Sequence, residues 1–380
     1  MMRLIDRLTR YVSTKSLSRT EHELAELVVS ELAAAGLKSQ RLGNNVWCAL
    51  GDVPRPRLLL NSHLDTVPPG AGWSQDPWTP TIREGRITGL GANDAKGCGC
   101  AMLEAVLNLK ARLDRGESLG GTLVLALTAE EENTGAGLGT ILDQLAPLDA
   151  ALVGEPTGLI PMTAQRGLLI LRGVARGRTS HPANTPNGST NAIHLAARAI
   201  AALERFDWGP THPKLGRCHA HVTMINGGIA RNVVPDTCEF WIDIRTTPLE
   251  SHAHLFTRLS AALHCELHVH SDRLNPFETA DHEPIVQAAL KTLPGTRTTG
   301  SPAMSDMVFL TGIPAVKIGP GQSPRSHTPD EYIEIAELEA GAAAYKRIVM
   351  GYFAARSLDP KPSITGSNSA LSAAALEGGK

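Results

Sequence analysis

Two loops that could hold a metal ion follow apolar segments in the first hundred residues. His63 and Asp65 lie in the segment 61–68, which comes directly after the apolar run 58–60, and Asp94 precedes a predicted helix. Imidazole nitrogens and carboxylate oxygens bind zinc and similar cations, and a second carboxylate commonly orients such an imidazole. Taken alone, His63 and Asp65 also fit a surface loop, and Asp94 also fits a helix N-cap.

Three consecutive glutamates, Glu130, Glu131 and Glu132, follow the apolar strand predicted at 122–127. On a solvated loop their mutual repulsion costs little. In a cleft they require a cation, or one of them must stay protonated. A carboxylate beside a metal-bound water is a common source of a nucleophile at neutral pH.

Two further candidate ligands lie later in the chain. Glu155 follows a strand predicted at 150–153, and His327 lies in a loop rich in turn-forming residues. With His63, Asp94 and Glu132, they form a nitrogen and oxygen ligand set that suits two Zn²⁺ or similar ions.

The predicted elements place these loops at one edge of a sheet. Strands at 46–50, 57–60, 122–127 and 150–153 alternate with helices, which predicts an α/β fold with a mixed sheet. Ligands of open α/β sheets bind outside the carboxyl ends of the strands. Ser18-x-x-Glu21 is interpreted as a capping box at the start of a helix that Gly36 ends.

The order of predicted strands and helices changes near Leu169. The predicted order to His270 is β-α-β-β-α-β, the ferredoxin-like unit of an α+β domain. We therefore predict a larger α/β domain that is discontinuous in sequence, with a second domain inserted into it. The residues after the last helix are rich in Ser, Gly, Ala and Pro, which predicts disorder. The predicted boundaries are 1–171 with 275–356 for the larger domain, 172–274 for the insertion and 357–380 for the disordered tail.

Composition excludes several classes of protein. The 380 residues include 36 Lys and Arg and 38 Asp and Glu, which gives a net charge of −2. The chain therefore lacks the excess of positive charge that general nucleic-acid binding requires. No apolar run reaches the ~20 residues that span a bilayer, and the first residues do not resemble a secretory signal. The six cysteines lack C-x-x-C spacing. We therefore expect reduced thiols in a cytoplasmic protein that binds neither nucleic acid nor membrane.

The motifs resemble those of the co-catalytic zinc amidohydrolases and metallopeptidases. This family includes acetylornithine deacetylase, succinyl-diaminopimelate desuccinylase, aminoacylase and carboxypeptidase G. The resemblance covers about residues 10 to 350, and the matching stretches, in family order, are SHLDTVP, GRITGLGANDAKG, TAEEENTG, VGEPT, GRTSHPANTPNGSTNAI, GGIARNVVPDTCEFWIDIRTTP, MSDMVFL and SHTPDEY. It implies that the larger domain is a zinc-peptidase-like catalytic domain and that the insertion is a lid and dimerisation domain. The protein is then expected to be a homodimer formed through the insertion.

The resemblance implies that Asp94 bridges two zinc ions, for which cobalt can substitute. His63 and Glu155 complete one metal site, and Glu132 and His327 complete the other. Asp65 orients His63.

The resemblance also implies that Glu131 is the general base. The family usually has Asp-Glu-Glu where this chain has Glu130 to Glu132, which leaves the base uncertain by one residue. His181 matches a histidine that reaches the neighbouring subunit's site and stabilises the oxyanion. Substrate contacts are implied at Asn232, Arg245 and Gly300. Without the resemblance, a surface arginine is the better interpretation of Arg245.

The implied reaction is hydrolysis of the amide bond of an N-acyl amino acid by a hydroxide held between two zinc ions. We favour N²-acetyl-L-ornithine, a substrate of arginine biosynthesis. Succinyl-diaminopimelate, acetyl-lysine, acetylcitrulline and dipeptides or other peptidase substrates are the alternatives. A metal-free binding protein on the same fold is the alternative from a different class.

Overall fold

The computed structural model describes residues 3–135, 137–184 and 191–358. The helices in these ranges are α1 Leu4–Ser13, α2 His22–Ala34, α3 Lys96–Asp114, α4 Gly137–Leu145, α5 Ala192–Glu204, α6 His252–Ala262, α7 Pro284–Thr292 and α8 Ile335–Leu358. The strands are β1 Ser39–Leu42, β2 Asn45–Gly51, β3 Arg57–His63, β4 Thr81–Arg83, β5 Arg86–Thr88, β6 Thr122–Thr128, β7 Ala150–Val153, β8 Met162–Gln165, β9 Gly167–Arg176, β10 His219–Gly227, β11 Thr237–Thr246, β12 Glu266–Leu274, β13 Phe277–Glu278, β14 Thr299–Ser301, β15 Ala315–Lys317 and β16 Tyr332–Glu334.

A nine-stranded mixed sheet forms the larger part of the fold. Its order is β1-β2-β6-β3-β7-β15-β8-β13, with β14 paired to β8. β3 pairs in parallel with β6 and β7, and β15 pairs in parallel with β7. The predicted mixed α/β sheet is therefore confirmed.

The central strand β3 is apolar on both faces because helices cover both faces of the sheet. Leu58 and Leu60 pack into the cluster that contains side chains of α3 and α8. Leu59 points the other way and packs with side chains of α4. All three leucines are fully buried, so β3 is held firmly on both sides up to its last residue.

A second sheet, of four antiparallel strands, has the order β10-β11-β9-β12. Along the chain its elements run β9-α5-β10-β11-α6-β12, which is the predicted β-α-β-β-α-β order. Residues of β11 alternate between buried and half-buried, because one face packs on α5 and α6. The division into domains at 172 and 274 stays a prediction; β9 begins before it, at Gly167.

The predicted tail, 357–380, lies outside the described residues from 359 onward, and its first two residues belong to α8. All six cysteines are free thiols, as predicted. Within the described ranges, none of the helices is both long enough and apolar enough to cross a membrane.

Candidate metal centre and active site

Three neighbouring parallel strands deliver most of the predicted ligands to one edge of the large sheet. His63 is the last residue of β3, Glu155 lies two residues beyond β7, and Glu132 lies four residues beyond β6. The carboxyl ends of parallel strands lie at the same edge, so side chains from distant parts of the sequence meet there. Asp94 comes from the turn before α3, and His327 from the loop before β16.

Asp94 lies between the two histidines. Its Oδ1 is 3.4 Å from His63 Nε2, and its Oδ2 is 3.8 Å from His327 Nε2. Glu155 Oε1 is 3.9 Å from His63 Nε2, and Glu132 Oε1 is 2.8 Å from His327 Nε2. The five predicted ligands thus form two groups that share Asp94. One group contains His63 and Glu155, and the other contains His327 and Glu132.

The residues of this cluster fit divalent metal ions. His63 Nε2 and Asp94 Oδ1 are buried and have no hydrogen-bond partner. Buried polar atoms without partners are costly and uncommon. Ligand atoms of His63, Asp94 and Glu132 lie within 4.8 Å of one another, as do those of His63, Glu131 and Glu155. A neutral imidazole with several carboxylates is a suitable ligand set for Zn²⁺.

Asp65 supports both the histidine and the glutamate loop. His63 Nδ1 lies 3.0 Å from the Asp65 carbonyl and 3.4 Å from its carboxylate, which turns Nε2 toward Asp94. The Asp65 carboxylate also accepts hydrogen bonds from the backbone N–H groups of Glu131 and Glu132, at 3.1 and 3.0 Å. This fully buried carboxylate therefore orients the His63 ring and positions the backbone of Glu131, the predicted base.

The segment interpreted as a capping box supports this loop instead, so that interpretation was wrong. α2 begins at His22, and Ser18 Oγ donates to Asp65 at 2.6 Å. Glu21 is fully buried and accepts from the backbone N–H groups of Arg19 and Glu130, at 2.8 and 3.1 Å. A four-residue pattern cannot show that such a pair serves a loop more than a hundred residues away.

Crowded carboxylates shift the proton affinities of the cluster. Burial raises the pKa of Glu155 to about 7, against the opposing effect of the Lys317 ammonium. Burial, together with repulsion from Glu155, raises the pKa of Glu131 well above its usual value. The hydrogen bond to Glu132 raises the pKa of His327 to about 9. In the metal-free protein these groups therefore retain protons near neutral pH.

Metal affinity should consequently rise with pH between about 6.5 and 9. A raised pKa means that a proton occupies the ligand at neutral pH, and a divalent ion must displace it, by about tenfold in affinity per pH unit for each proton released. Competition with a chromophoric chelator across this range measures the slope. Affinity that is independent of pH would contradict the assignment, and calorimetry in buffers of different ionisation enthalpy serves as the control by counting the protons directly.

Asp306 is a buried acid beside the cluster that sequence reasoning did not single out. It is 2% exposed, and its Oδ2 accepts from Thr128 Oγ1 at 2.9 Å at the end of β6. Burial raises its pKa to about 6. The stretch MSDMVFL contains it, but that stretch carries no metal-ligand spacing that could have shown this position.

Of the remaining candidates, His181, Asn232 and Arg245 lie at or near the four-stranded sheet, whereas Gly300 lies in β14 of the nine-stranded sheet. Ser180 and Val234 form a β-bridge, and the backbone N–H of Val234 donates to the Ser180 carbonyl at 2.8 Å. His181 and Asn232 flank this bridge on two adjacent loops, and both are exposed. Neither belongs to the metal-ligand groups found among the described residues.

Arg245 and Gly300 have protein partners of their own. Arg245 Nε donates to Asp243 at 2.8 Å, so a substrate carboxylate must compete with that carboxylate. A Cβ at Gly300 would lie 2.5 Å from the Lys214 carbonyl oxygen. This glycine therefore permits close packing against a loop of the protein itself.

The chain is similar in sequence to bacterial desuccinylases and to a bacterial deacetylase. The chain is 30% identical over 353 residues to a succinyl-diaminopimelate desuccinylase of Xanthomonas campestris pv. campestris (strain B100), covering 85% of this chain and 92% of that protein. It is 31% identical over 307 residues to an acetylornithine deacetylase of Yersinia pseudotuberculosis serotype O:1b (strain IP 31758), covering 74% and 75%.

Solved structures share the fold at lower identity. The aminopeptidase PepT of Bacillus cereus ATCC 10987 matches with a TM-score of 0.76 at 21% identity, covering 92% of this chain and 98% of that one. A dinuclear metal-binding peptidase of Bacillus subtilis matches with a TM-score of 0.70 at 16% identity, covering 91% and 96%.

The model of the peptidase family M20/M25/M40 matches residues 59–351, which include all five predicted metal ligands and the predicted base. The resemblance seen in the motifs is thereby confirmed. This protein belongs to the peptidase family M20/M25/M40 and is an enzyme of the amidohydrolase type.

Proposed function

We propose that this protein hydrolyses the amide bond of an N-acyl amino acid with two divalent metal ions, and that N²-acetyl-L-ornithine is its substrate. The observation that carries the metal chemistry is the pair of buried atoms without a hydrogen-bond partner, His63 Nε2 and Asp94 Oδ1, within a cluster of imidazoles and carboxylates. The 31% identity to an acetylornithine deacetylase supports the choice of substrate. Succinyl-diaminopimelate is the second candidate, because the desuccinylases match more of the chain than the deacetylase does.

In this proposal His63 and Glu155 would hold one ion, Glu132 and His327 would hold the other, and Asp94 would be a ligand of both. The B. subtilis peptidase of similar fold, which is described as dinuclear, supports two ions. Zn²⁺ is the proposed metal, and Co²⁺ the substitute. When bound, such ions lower the pKa of water and polarise a substrate carbonyl.

Glu131 moves the proton in this reaction. One of its carboxylate oxygens lies within 4.8 Å of a ring nitrogen of His63 and of a carboxylate oxygen of Glu155. It takes a proton from the attacking water as the new C–O bond forms. It then gives that proton to the amide nitrogen as the C–N bond breaks, which releases the amine. A pKa raised by burial suits a group that must hold the proton between these two steps.

His181 acts on the site of a second copy in this proposal, and the four-stranded sheet forms the dimer interface. Support comes from β10, an edge strand of that sheet. Met224 and Ile225 on this strand are 64% and 56% exposed, and Ile229 in the following loop is 90% exposed. An exposed edge with apolar side chains is suited to pairing with another chain.

Replacing His181 with alanine should lower kcat by about 10²–10³-fold, with a smaller effect on KM, because it removes a group that stabilises the developing oxyanion. Steady-state kinetics measure the change. His282→Ala is the control, since that histidine side chain is 82% exposed. An unchanged kcat would remove His181 from the mechanism.

Mixing two inactive variants tests whether His181 acts across the dimer. In a heterodimer of His181→Ala and Glu131→Gln, one of the two sites has both groups intact. Random exchange of subunits should therefore restore about a quarter of the wild-type activity, given a two-fold dimer. If His181 acts within its own chain, mixing restores nothing.

The proposed function is tested by elemental analysis combined with an amine-release assay. The purified protein is stripped with a chelator, reloaded with Zn²⁺ or Co²⁺, and offered N-acetyl, N-succinyl and dipeptide substrates. Near two metal equivalents and metal-dependent amine release support the proposal, and the best substrate decides between the candidates. Absence of both metal and turnover after reloading would favour a binding protein on this fold.

A further inference from the structure

Glu331 joins two segments that carry proposed metal ligands. Its side chain is 2% exposed. Oε1 accepts hydrogen bonds from the backbone N–H groups of Asn93 and Asp94, both at 2.8 Å, and Oε2 accepts from Gly91 N–H at 3.0 Å. The Glu331 carbonyl also accepts from Gly89 N–H at 2.9 Å. One residue thus holds the whole turn from Gly89 to Asp94.

This turn determines where the Asp94 carboxylate lies. Its two oxygens face different histidines, at 3.4 Å from His63 Nε2 and 3.8 Å from His327 Nε2. A small rotation of the backbone at residue 94 would bring one oxygen closer to its histidine and move the other away. Three N–H donors that converge on one carboxylate oppose such a rotation, because buried backbone donors are costly to leave unpaired.

The same segment carries His327, four residues before Glu331. The Asn93 side chain strengthens the contact: its Oδ1 accepts from Gln322 N–H at 2.8 Å, and its Nδ2 donates to the Gln322 carbonyl at 3.1 Å. Both ends of the segment 322–331, Gln322 and Glu331, therefore form hydrogen bonds with the turn. His327 and Asp94 cannot easily move apart while these contacts are in place.

We propose that Glu331 is a positioning residue that sets the orientation of Asp94 and thereby the spacing of the two metal sites. Its effect on catalysis rests on the proposed function, whereas its effect on the turn does not. Sequence reasoning missed this role, although SHTPDEY contains the residue, because the partners lie about 240 positions away in the chain.

Glu331→Gln tests the proposal with little change in shape. The amide group places an N–H donor against at least one of the three backbone N–H groups. We expect kcat to fall by about 10–100-fold with KM little changed, as for other residues that support metal ligands. The visible absorption spectrum of the Co²⁺-loaded protein should change as well. Glu334→Gln is the matched control, since that side chain is 42% exposed and pairs only loosely with Arg86, at 3.7 Å.

Hydrogen exchange in the metal-free protein separates this inference from the proposed function. In Glu331→Gln, the peptide that covers residues 89–95 should exchange faster than in wild type, and Glu334→Gln should not change it. Wild-type exchange together with a wild-type Co²⁺ spectrum would overturn the proposal, as would a lower melting temperature with an unchanged spectrum. If wild type binds no metal and turns over no substrate, the proposed function fails. The exchange result then still decides whether Glu331 holds the turn at residues 89–94.

A second variant covers the case in which Glu331→Gln does not fold. Glu331→Asp keeps the negative charge and draws the carboxylate back by one methylene group. We expect it to fold, with faster exchange at 89–95 and a smaller loss of kcat than glutamine causes. Wild-type exchange and kcat in Glu331→Asp would overturn the proposal.

Discussion

Replacing Glu131 with glutamine is expected to lower kcat by about 10²–10⁴-fold while the metal content stays near that of wild type. Glutamine keeps the shape of the side chain and its place beside His63 and Glu155 but cannot accept the proton from water. Elemental analysis and steady-state kinetics on the same preparation measure both quantities. The combination of retained metal and lost turnover identifies a base and distinguishes it from a ligand.

The neighbouring glutamates supply the controls. Glu130 lies beside Arg19, at 3.3 Å, and belongs to neither candidate metal-ligand group among the described residues. Glu130→Gln should therefore leave kcat within about twofold, a change of roughly 0.4 kcal/mol in the activation free energy. Glu132→Gln should lose metal, because its Oε1 lies 2.8 Å from His327 Nε2 among the proposed ligands. If Glu131→Gln loses metal and Glu132→Gln keeps it while losing turnover, the base assignment is shifted by one residue.

Replacing Asp94 with asparagine is expected to reduce activity by at least about 10³-fold, which corresponds to the several kcal/mol that a metal centre contributes. Asp94 is the proposed ligand shared by both sites, and its two oxygens face His63 and His327. An asparagine offers one neutral oxygen to two cations. We therefore expect less than two metal equivalents after reloading, together with a changed Co²⁺ spectrum.

Asp76→Asn is the matched control for this substitution. Asp76 is exposed in the loop before β4, where its carboxylate accepts from Thr79 Oγ1 at 2.7 Å. It should keep wild-type metal content and kcat. Two metal equivalents and wild-type turnover in Asp94→Asn would exclude a bridging role for Asp94.

Local sequence patterns were sufficient for the fold class and for the family. The apolar run at 58–60 and its counterparts at 122–127 and 150–153 predicted buried strands, because a strand covered on both faces is apolar throughout. The β-α-β-β-α-β order could also be predicted from the sequence. Apolar residues alternate every second position in a half-buried strand and recur every three or four positions in a helix, and this difference is visible within short segments. The motifs identified the family. Three of the five proposed ligands, His63, Glu132 and Glu155, lie at or just beyond the ends of these strands, where the sheet topology brings them together.

Contacts between distant segments were decided by the tertiary structure. Ser18 and Glu21 fit a capping box over four residues, yet they support Asp65 and the loop at Glu130. Glu331 gave no local signal, because the N–H groups that it accepts from lie at Gly91, Asn93 and Asp94. Composition and periodicity report how each segment buries its apolar side chains. The pairing of a buried carboxylate with a particular backbone N–H group depends on how distant segments pack. This packing is determined only when the whole sheet and its loops are assembled.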